Sequence, residues 1–327
     1  MVKRRRLFKW AGGTVLSLAV LLAIGWAAFV PSPQEPAYQF VKAWGEKGAG
    51  PGEFHDPTGI AIADGEVFVA DSRNGRIQVF DRAGNFKRQF GRAGDRPGEL
   101  GRPMNLTIHE GELYVPEYFN DRIQVFGLDG TPRRTIGKAG NGPGQFSAPG
   151  GVAVAGNGDL FVADFYNHRV QHLKPDGSFV AQWGATGKPG RFAGEFTYPT
   201  DAETGSDGSI FIADGYADRI QAFAPDDGFH RKWGGPFAID ISGPFNRWFA
   251  VTTSVATGPD GNVFVADFYN DRVQKFAPDG TFLTAFGATG DGPGQFGHAM
   301  AVAVADDGTV FVADFLNNRI QKWRPRE

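Results

Sequence analysis

Residues 262–276 read NVFVADFYNDRVQKF, and five further versions of this stretch follow the same pattern. They are EVFVADSRNGRIQVF (66–80), ELYVPEYFNDRIQVF (112–126), DLFVADFYNHRVQHL (159–173), SIFIADGYADRIQAF (209–223) and TVFVADFLNNRIQKW (309–323). Each holds an acidic residue (Asp71, Glu117, Asp164, Asp214, Asp267, Asp314) and, five positions later, an arginine (Arg76, Arg122, Arg169, Arg219, Arg272, Arg319). The acids recur every 46 to 53 residues. A period of this length confines the chain to radial or solenoid arrays, in which each repeat buries its apolar face only against its neighbours.

Four strand-like runs surround each copy. In the first they are Gly59–Ala63, Val67–Ala70, Arg76–Phe80 and Phe86–Phe90, mostly separated by Gly or Asp-Gly. That punctuation is the pattern of a four-stranded antiparallel meander. Further meanders cover about 104–137, 150–184, 200–234 and 253–287, and a sixth begins near Met300 but stops at Trp323 without a fourth strand. The missing strand lies at the other end, where Tyr38–Gly45 (YQFVKAWG) matches the fourth strands FVAQWG (179–184), FHRKWG (229–234) and FLTAFG (282–287). A chain that begins with the last strand of its last blade closes into a ring and leaves no open edge. The expected architecture is an all-β, six-bladed β-propeller over 38–327, folding as one domain.

Residues 3–9 are basic and residues 10–30 (WAGGTVLSLAVLLAIGWAAFV) are uncharged. As a helix this segment spans roughly 30 Å, enough for a bilayer core. The basic flank would stay cytoplasmic and place the body outside. Residues 1–30 are therefore expected to be a membrane anchor, with export and cleavage as the competing reading. Residues 31–37 (PSPQEPA) form a stiff, proline-rich linker. Removing the basic terminus leaves residues 10–327 with 28 basic and 36 acidic side chains. An acidic body counts against nucleic acid as a partner. The absence of cysteine removes disulfides and thiolate metal sites.

The Val-Ala-Asp-x-x-Asn-x-Arg-Ile/Val-Gln cores, with Asp-Gly turns such as Asp279-Gly280, resemble the NHL repeat family over about residues 38–323. The resemblance implies a six-bladed propeller, in agreement with the strand count. It does not fix a function, because propellers host unrelated sites.

An acid and an arginine present in every copy are expected to be architectural, the carboxylate accepting bonds from loop amides and from the arginine. The positions that differ between copies are more informative. Directly after the acid stand Ser72-Arg73, Tyr118-Phe119, Phe165-Tyr166, Gly215-Tyr216, Phe268-Tyr269 and Phe315-Leu316. In a propeller these loops share one face with the connections between blades. Tyr118, Phe119, Tyr166, Tyr216, Tyr269 and Leu316 are thus expected to form an aromatic collar for recognition. Four connections are glycine-rich (45–54, 91–100, 137–146 and 287–296), but no helix opens after them, so phosphate binding is a poor reading. The connection 235–250 (GPFAIDISGPFNRWFA) departs from the rule with Phe237, Phe245 and Trp248. It is expected on the same face, either covering the blade interface or docking a protein or membrane partner.

The innermost strands place small residues at equivalent positions, except for Asn105/Thr107 and Asp201/Glu203. Asp201 and Glu203, two residues apart on one strand, share a face, so their charges must be solvated, paired or metal-bound. They are the candidates for a channel cation, against channel water as the plainer alternative, and no other cofactor is expected. The repeats are also similar to the six-bladed peptidyl-hydroxyglycine amidating lyase, especially over 198–220. That similarity implies zinc-binding histidines at the openings of first strands. Gly150, Thr253 and Met300 stand there instead, and the six histidines are scattered, so lyase activity is not expected. The resulting expectation is a membrane-anchored, extracytoplasmic binding or scaffolding module without catalytic residues. A hydrolase or lyase at the channel mouth, around Asp201, Glu203 and Asn105, is the alternative.

Overall fold

The computed structural model describes residues 29–224 and 226–326. Nearly all of the expected anchor at 1–30 lies outside the described residues. Among the described residues no helix is long and apolar enough to cross a membrane.

Six four-stranded antiparallel sheets follow one another in chain order. The first blade consists of Pro57–Ala63, Glu66–Asp71, Arg76–Asp81 and Phe86–Phe90, close to the runs read from the sequence. The sixth has three strands of its own, Ala299–Val304, Val310–Asp314 and Arg319–Arg324, and takes Gln39–Trp44 as its fourth. Phe40 pairs with Trp323 and Trp44 with Ile320, so the ring is shut by strand pairing as expected. The second blade differs, because its innermost strand is only Thr107–His109, preceded by an isolated bridge between Pro103 and Glu117.

Strand alternation sends every second side chain into the space between neighbouring sheets. Six apolar clusters result, one at each blade interface. Between the fourth and fifth blades, for instance, Phe211, Ile220 and Trp233 pack against Val263, Val265 and Phe276. The connections add to these clusters, because Phe54, Leu100, Phe146, Phe196, Phe249 and Phe296 are all buried. Glycine is required beside them: a Cβ on Gly137, at φ +77°, would lie 2.1 Å from the Phe146 ring. The glycine-rich connections are thus shaped by packing.

The repeated acid and arginine form one hydrogen-bonded frame per blade. In the third, Asp164 accepts bonds from the Ser147 amide (2.7 Å), Asn167 (2.9 Å), Arg169 Nε (2.8 Å) and Gln171 (3.2 Å). Arg169 Nη2 donates onward to the Gly142 and Gln145 carbonyls at 2.8 and 2.9 Å. Each frame therefore clamps the incoming connection to its own blade. The other five acid–arginine pairs repeat the contact at 2.6–2.8 Å.

Candidate functional site

The loops between second and third strands and the connections between blades share one face, called here the loop face. The hairpin turns lie on the opposite, turn face. In the third, fourth and fifth blades the loop after the acid is a single 3-10 turn, Phe165–Asn167, Gly215–Ala217 and Phe268–Asn270, followed by a left-handed residue at His168, Asp218 or Asp271. Asp and His tolerate that conformation better than β-branched residues do. A turn this tight sends successive side chains in different directions. Phe165 and Phe268, the first rings of their pairs, lean over the central axis, while Tyr166, Tyr216 and Tyr269 in the second position are exposed, the last two also reaching the pocket at the axis.

Tyr118, Phe165, Tyr216, Phe268, Tyr269 and Phe315 wall a cavity of about 200 Å³ at the mouth of the channel, with Arg102, Met104, Asn105 and Met300 among its other lining residues. The rings touch in two arcs. In one, Phe165 lies 4.9 Å from Tyr198 and 6.2 Å from Tyr216, and Tyr118 donates a 2.6 Å hydrogen bond to the Tyr166 hydroxyl. In the other, Phe268 lies 6.0 Å from Phe315 and 4.4 Å from His298. The first blade, with Ser72 and Arg73, interrupts the ring, and Arg102 covers the gap from above Tyr118 and Phe119. Burial, with the bond to Tyr166, pushes the Tyr118 phenol up, and burial pushes Tyr216 up too, so both stay neutral.

Asn105 closes the floor. Its side chain crosses the bore to donate to the carbonyls of Thr253 (3.0 Å) and Thr200 (3.4 Å), while its buried Oδ1 has no partner. It divides the channel, because a second, polar cavity of about 140 Å³ lies beyond it, lined by Asp201, Glu203, Ser254 and Thr257. The two acids there tie the fourth blade to the fifth. Asp201 accepts from the amides of Ala202 (2.9 Å) and Val255 (3.0 Å), and Glu203 from the Thr257 hydroxyl (3.1 Å). Burial pushes Glu203 up to about 7 and Asp201 well above the usual carboxylate range. Among the described residues, no group of three or more His, Cys, Asp or Glu side chains is placed to hold a metal ion.

Glu203 has a measurable consequence. Its folded pKa lies above the unfolded value near 4.5, so its contribution to stability is full below that pH and is lost as pH rises through about 7. Glu203→Gln is expected to match the wild type near pH 5 and to exceed it by about 1–2 kcal/mol at pH 8, with some discount for channel water. Chemical denaturation at the two pH values checks this, and equal pH slopes would remove the assignment.

Of the collar residues, Phe119, Tyr166, Tyr216, Tyr269 and Leu316 are exposed, whereas Tyr118 is half-buried in the pocket wall. Phe237 is exposed, while Phe245 and Trp248 are half-buried against each other at 5.1 Å. The 235–250 connection also touches the chain's own N-terminal side. Trp248 Nε1 donates to the Phe29 carbonyl (2.6 Å), Asn246 to the Pro31 carbonyl (3.0 Å), and the Phe237 and Phe29 rings meet edge-on at 5.3 Å. From there the linker runs down the outer strand of the fifth blade, with the amides of Gln34 and Glu35 bonded to the Leu283 carbonyl and Glu35 paired to Lys275. Sequence reasoning missed Arg102, Met104, Tyr198 and Met300, which line or flank the pocket from connections and strand openings. It noticed Phe165, Phe268 and Phe315 but did not place them there.

The NHL repeat pattern matches residues 54–80, 146–173 and 253–276. The B-box type zinc finger protein ncl-1 of Caenorhabditis elegans is 49% identical over 45 residues, 14% of this chain and 5% of that protein. Protein brain tumor of Drosophila melanogaster is 47% identical over 45 residues, 14% of this chain and 4% of its own length. The chain thus spans only a small fraction of these curated relatives. Among solved structures, a Bacteroides thetaiotaomicron protein of unknown function superimposes with a TM-score of 0.67 at 15% identity, covering 88% of this chain and 76% of its own. A streptogramin B lyase does so at 0.58 and 15% identity, covering 90% and 100%. The WD40 propeller domain of Doa1 reaches 0.60 at 11% identity, covering 89% and 98%. These likenesses concern the fold.

Proposed function

We propose that this six-bladed propeller of NHL repeats is a binding module, held at a membrane by residues 10–30 with its body outside the cytoplasm, that receives an apolar or aromatic group of a protein partner through its loop face. One observation carries the reading. Six rings converge on an apolar pocket whose floor, Asn105, keeps a buried acceptor without a partner. An apolar cavity with a few convergent polar groups is the general form of a ligand site. Aromatic anchors in such pockets carry most of the binding energy of an interface. The surrounding chemistry suits binding better than catalysis, since burial keeps Tyr118 and Tyr216 neutral and Arg102 is engaged with two rings.

The test is affinity capture from membranes with the full chain and with a Phe165→Ala/Phe268→Ala variant. Loss of the two walls is expected to lower recovery of the specific partner about tenfold, equivalent to about 1.4 kcal/mol. Equal recovery from both would refute the pocket as the binding site. An enzymatic reading rests on one observation, that Glu203 titrates near neutrality in the second cavity. It would place the chemistry on the turn-face side of Asn105, so the pocket variant would leave turnover intact and Glu203→Gln would abolish it.

A further inference from the structure

We infer that the loop face lies flat against the bilayer, its exposed rings in the lipid headgroup layer, so that whatever enters the pocket is presented at the membrane surface. This rests on residues 10–30 being an anchor. The first observation is where the chain arrives. Phe29 and Pro31 are fastened to Trp248 and Asn246 on the loop face, and the uncharged run of the sequence ends at that point. No slack linker separates the anchor from the propeller. Residues 10–28 as a helix would cover about 28 Å, so the whole run is needed to cross a core of about 30 Å. The face carrying Phe29 must then sit within the headgroup region.

The second observation is what that face displays. Phe119 (65% exposed), Phe192 (74%), Tyr216 (46%), Phe237 (72%), Tyr269 (56%) and Leu316 (56%) all project from loop-face segments. Rings with an apolar body, several with a polar tip, are the side chains that settle at the membrane interface. The third observation is the opposite face. Every hairpin turn there carries an acid, among them Asp64, Glu110, Asp129, Asp176, Asp207 and Asp279. Hydrogen bonds from Thr131, Ser178 and Thr281 hold Asp129, Asp176 and Asp279 below the usual carboxylate range, so that these stay ionised. Anionic headgroups repel such a surface. Anchor position, apolar display and charge therefore select the same orientation.

The cysteine-free sequence permits a direct test with the full chain in liposomes. Single cysteines are placed at Tyr216 and Phe237 on the loop face and at Asp306 on the turn face, each labelled with an environment-sensitive fluorophore. Quenching by lipids carrying a spin label near the headgroup is then measured, together with flotation. The expected result is flotation of all three proteins, with quenching at positions 216 and 237 severalfold stronger than at 306. Flotation with equal, weak quenching at all three positions would leave the anchor standing and overturn the orientation, freeing the face for a soluble partner. Failure to float would overturn the anchor reading and the orientation together. Unchanged thermal unfolding of the labelled proteins confirms that the fold is intact.

Discussion

Replacing Arg219 with alanine is expected to destabilise the propeller by about 3–5 kcal/mol, the usual effect of stripping one partner from a buried ion pair. The Arg219 side chain is fully enclosed, pairs with Asp214 at 2.8 Å and donates to the carbonyls of Glu195 (2.7 Å), Ala238 (3.1 Å) and Phe192 (3.2 Å). Its removal takes a donor from each of those carbonyls, although Glu195 keeps Gln221 and Phe192 keeps the Glu195 amide, and leaves Asp214 with the Thr197 amide and Gln221. Burial already pushes Asp214 up to about 6 with the arginine present. Without the arginine, which holds that value down, Asp214 takes up its proton above pH 6, so the deficit of the variant should shrink as pH falls towards 6 and level off below it, where the wild-type carboxyl is protonated as well. Arg219→Lys keeps the charge but loses the fork, and should fall between the two. Denaturant titration at pH 7.5 and 5 measures both effects. A loss below about 1 kcal/mol at pH 7.5 would show that the repeated pair does not hold the connections.

A second large effect is expected at the axis. The innermost strand of the third blade passes so close to the fourth that a Cβ on Gly150 would lie 2.3 Å from the Thr200 carbonyl oxygen. That obstacle is backbone, and a closed ring offers no direction in which one blade can yield without opening another interface. Gly150→Ala should cost about 2–3 kcal/mol, in the upper range for overpacking. Gly156→Ala is the control, because a Cβ there meets nothing within 4 Å. It should be neutral or stabilising by a few tenths of a kcal/mol through reduced unfolded-state entropy. If the two substitutions behave alike, axial packing is looser than the geometry states.

The architecture was legible because its signals are local and repeated. Asp-Gly turns mark the hairpins, and YQFVKAWG announces the closing strand by likeness to three others. The Asp201 and Glu203 spacing also carried its meaning, since both side chains do point to one side, towards Val255 and Thr257. The pocket was less legible. Phe165 and Tyr166 are adjacent in sequence, and only the 3-10 turn turns one over the bore and the other outward. Asn105 stood out as a departure from small residues, but its reach across the channel to Thr253 depends on the diameter of the closed ring. The bond from Trp248 to Phe29 joins residues 219 positions apart and has no sequence signature.

The strand that shuts the ring is among the earliest parts of the propeller to be made, and its partner is among the latest. Trp44 pairs with Ile320, so at ordinary synthesis rates of about 5–20 residues per second the first waits roughly 15–55 s for the second to appear. Throughout that interval residues 39–44 and the flank of the first blade are open to whatever strand comes by. A ribosome that stalls after the fifth blade thus releases a product that is adhesive at both ends. The injury of a late truncation falls on residues already made, and what translation speed protects here is the beginning of the chain.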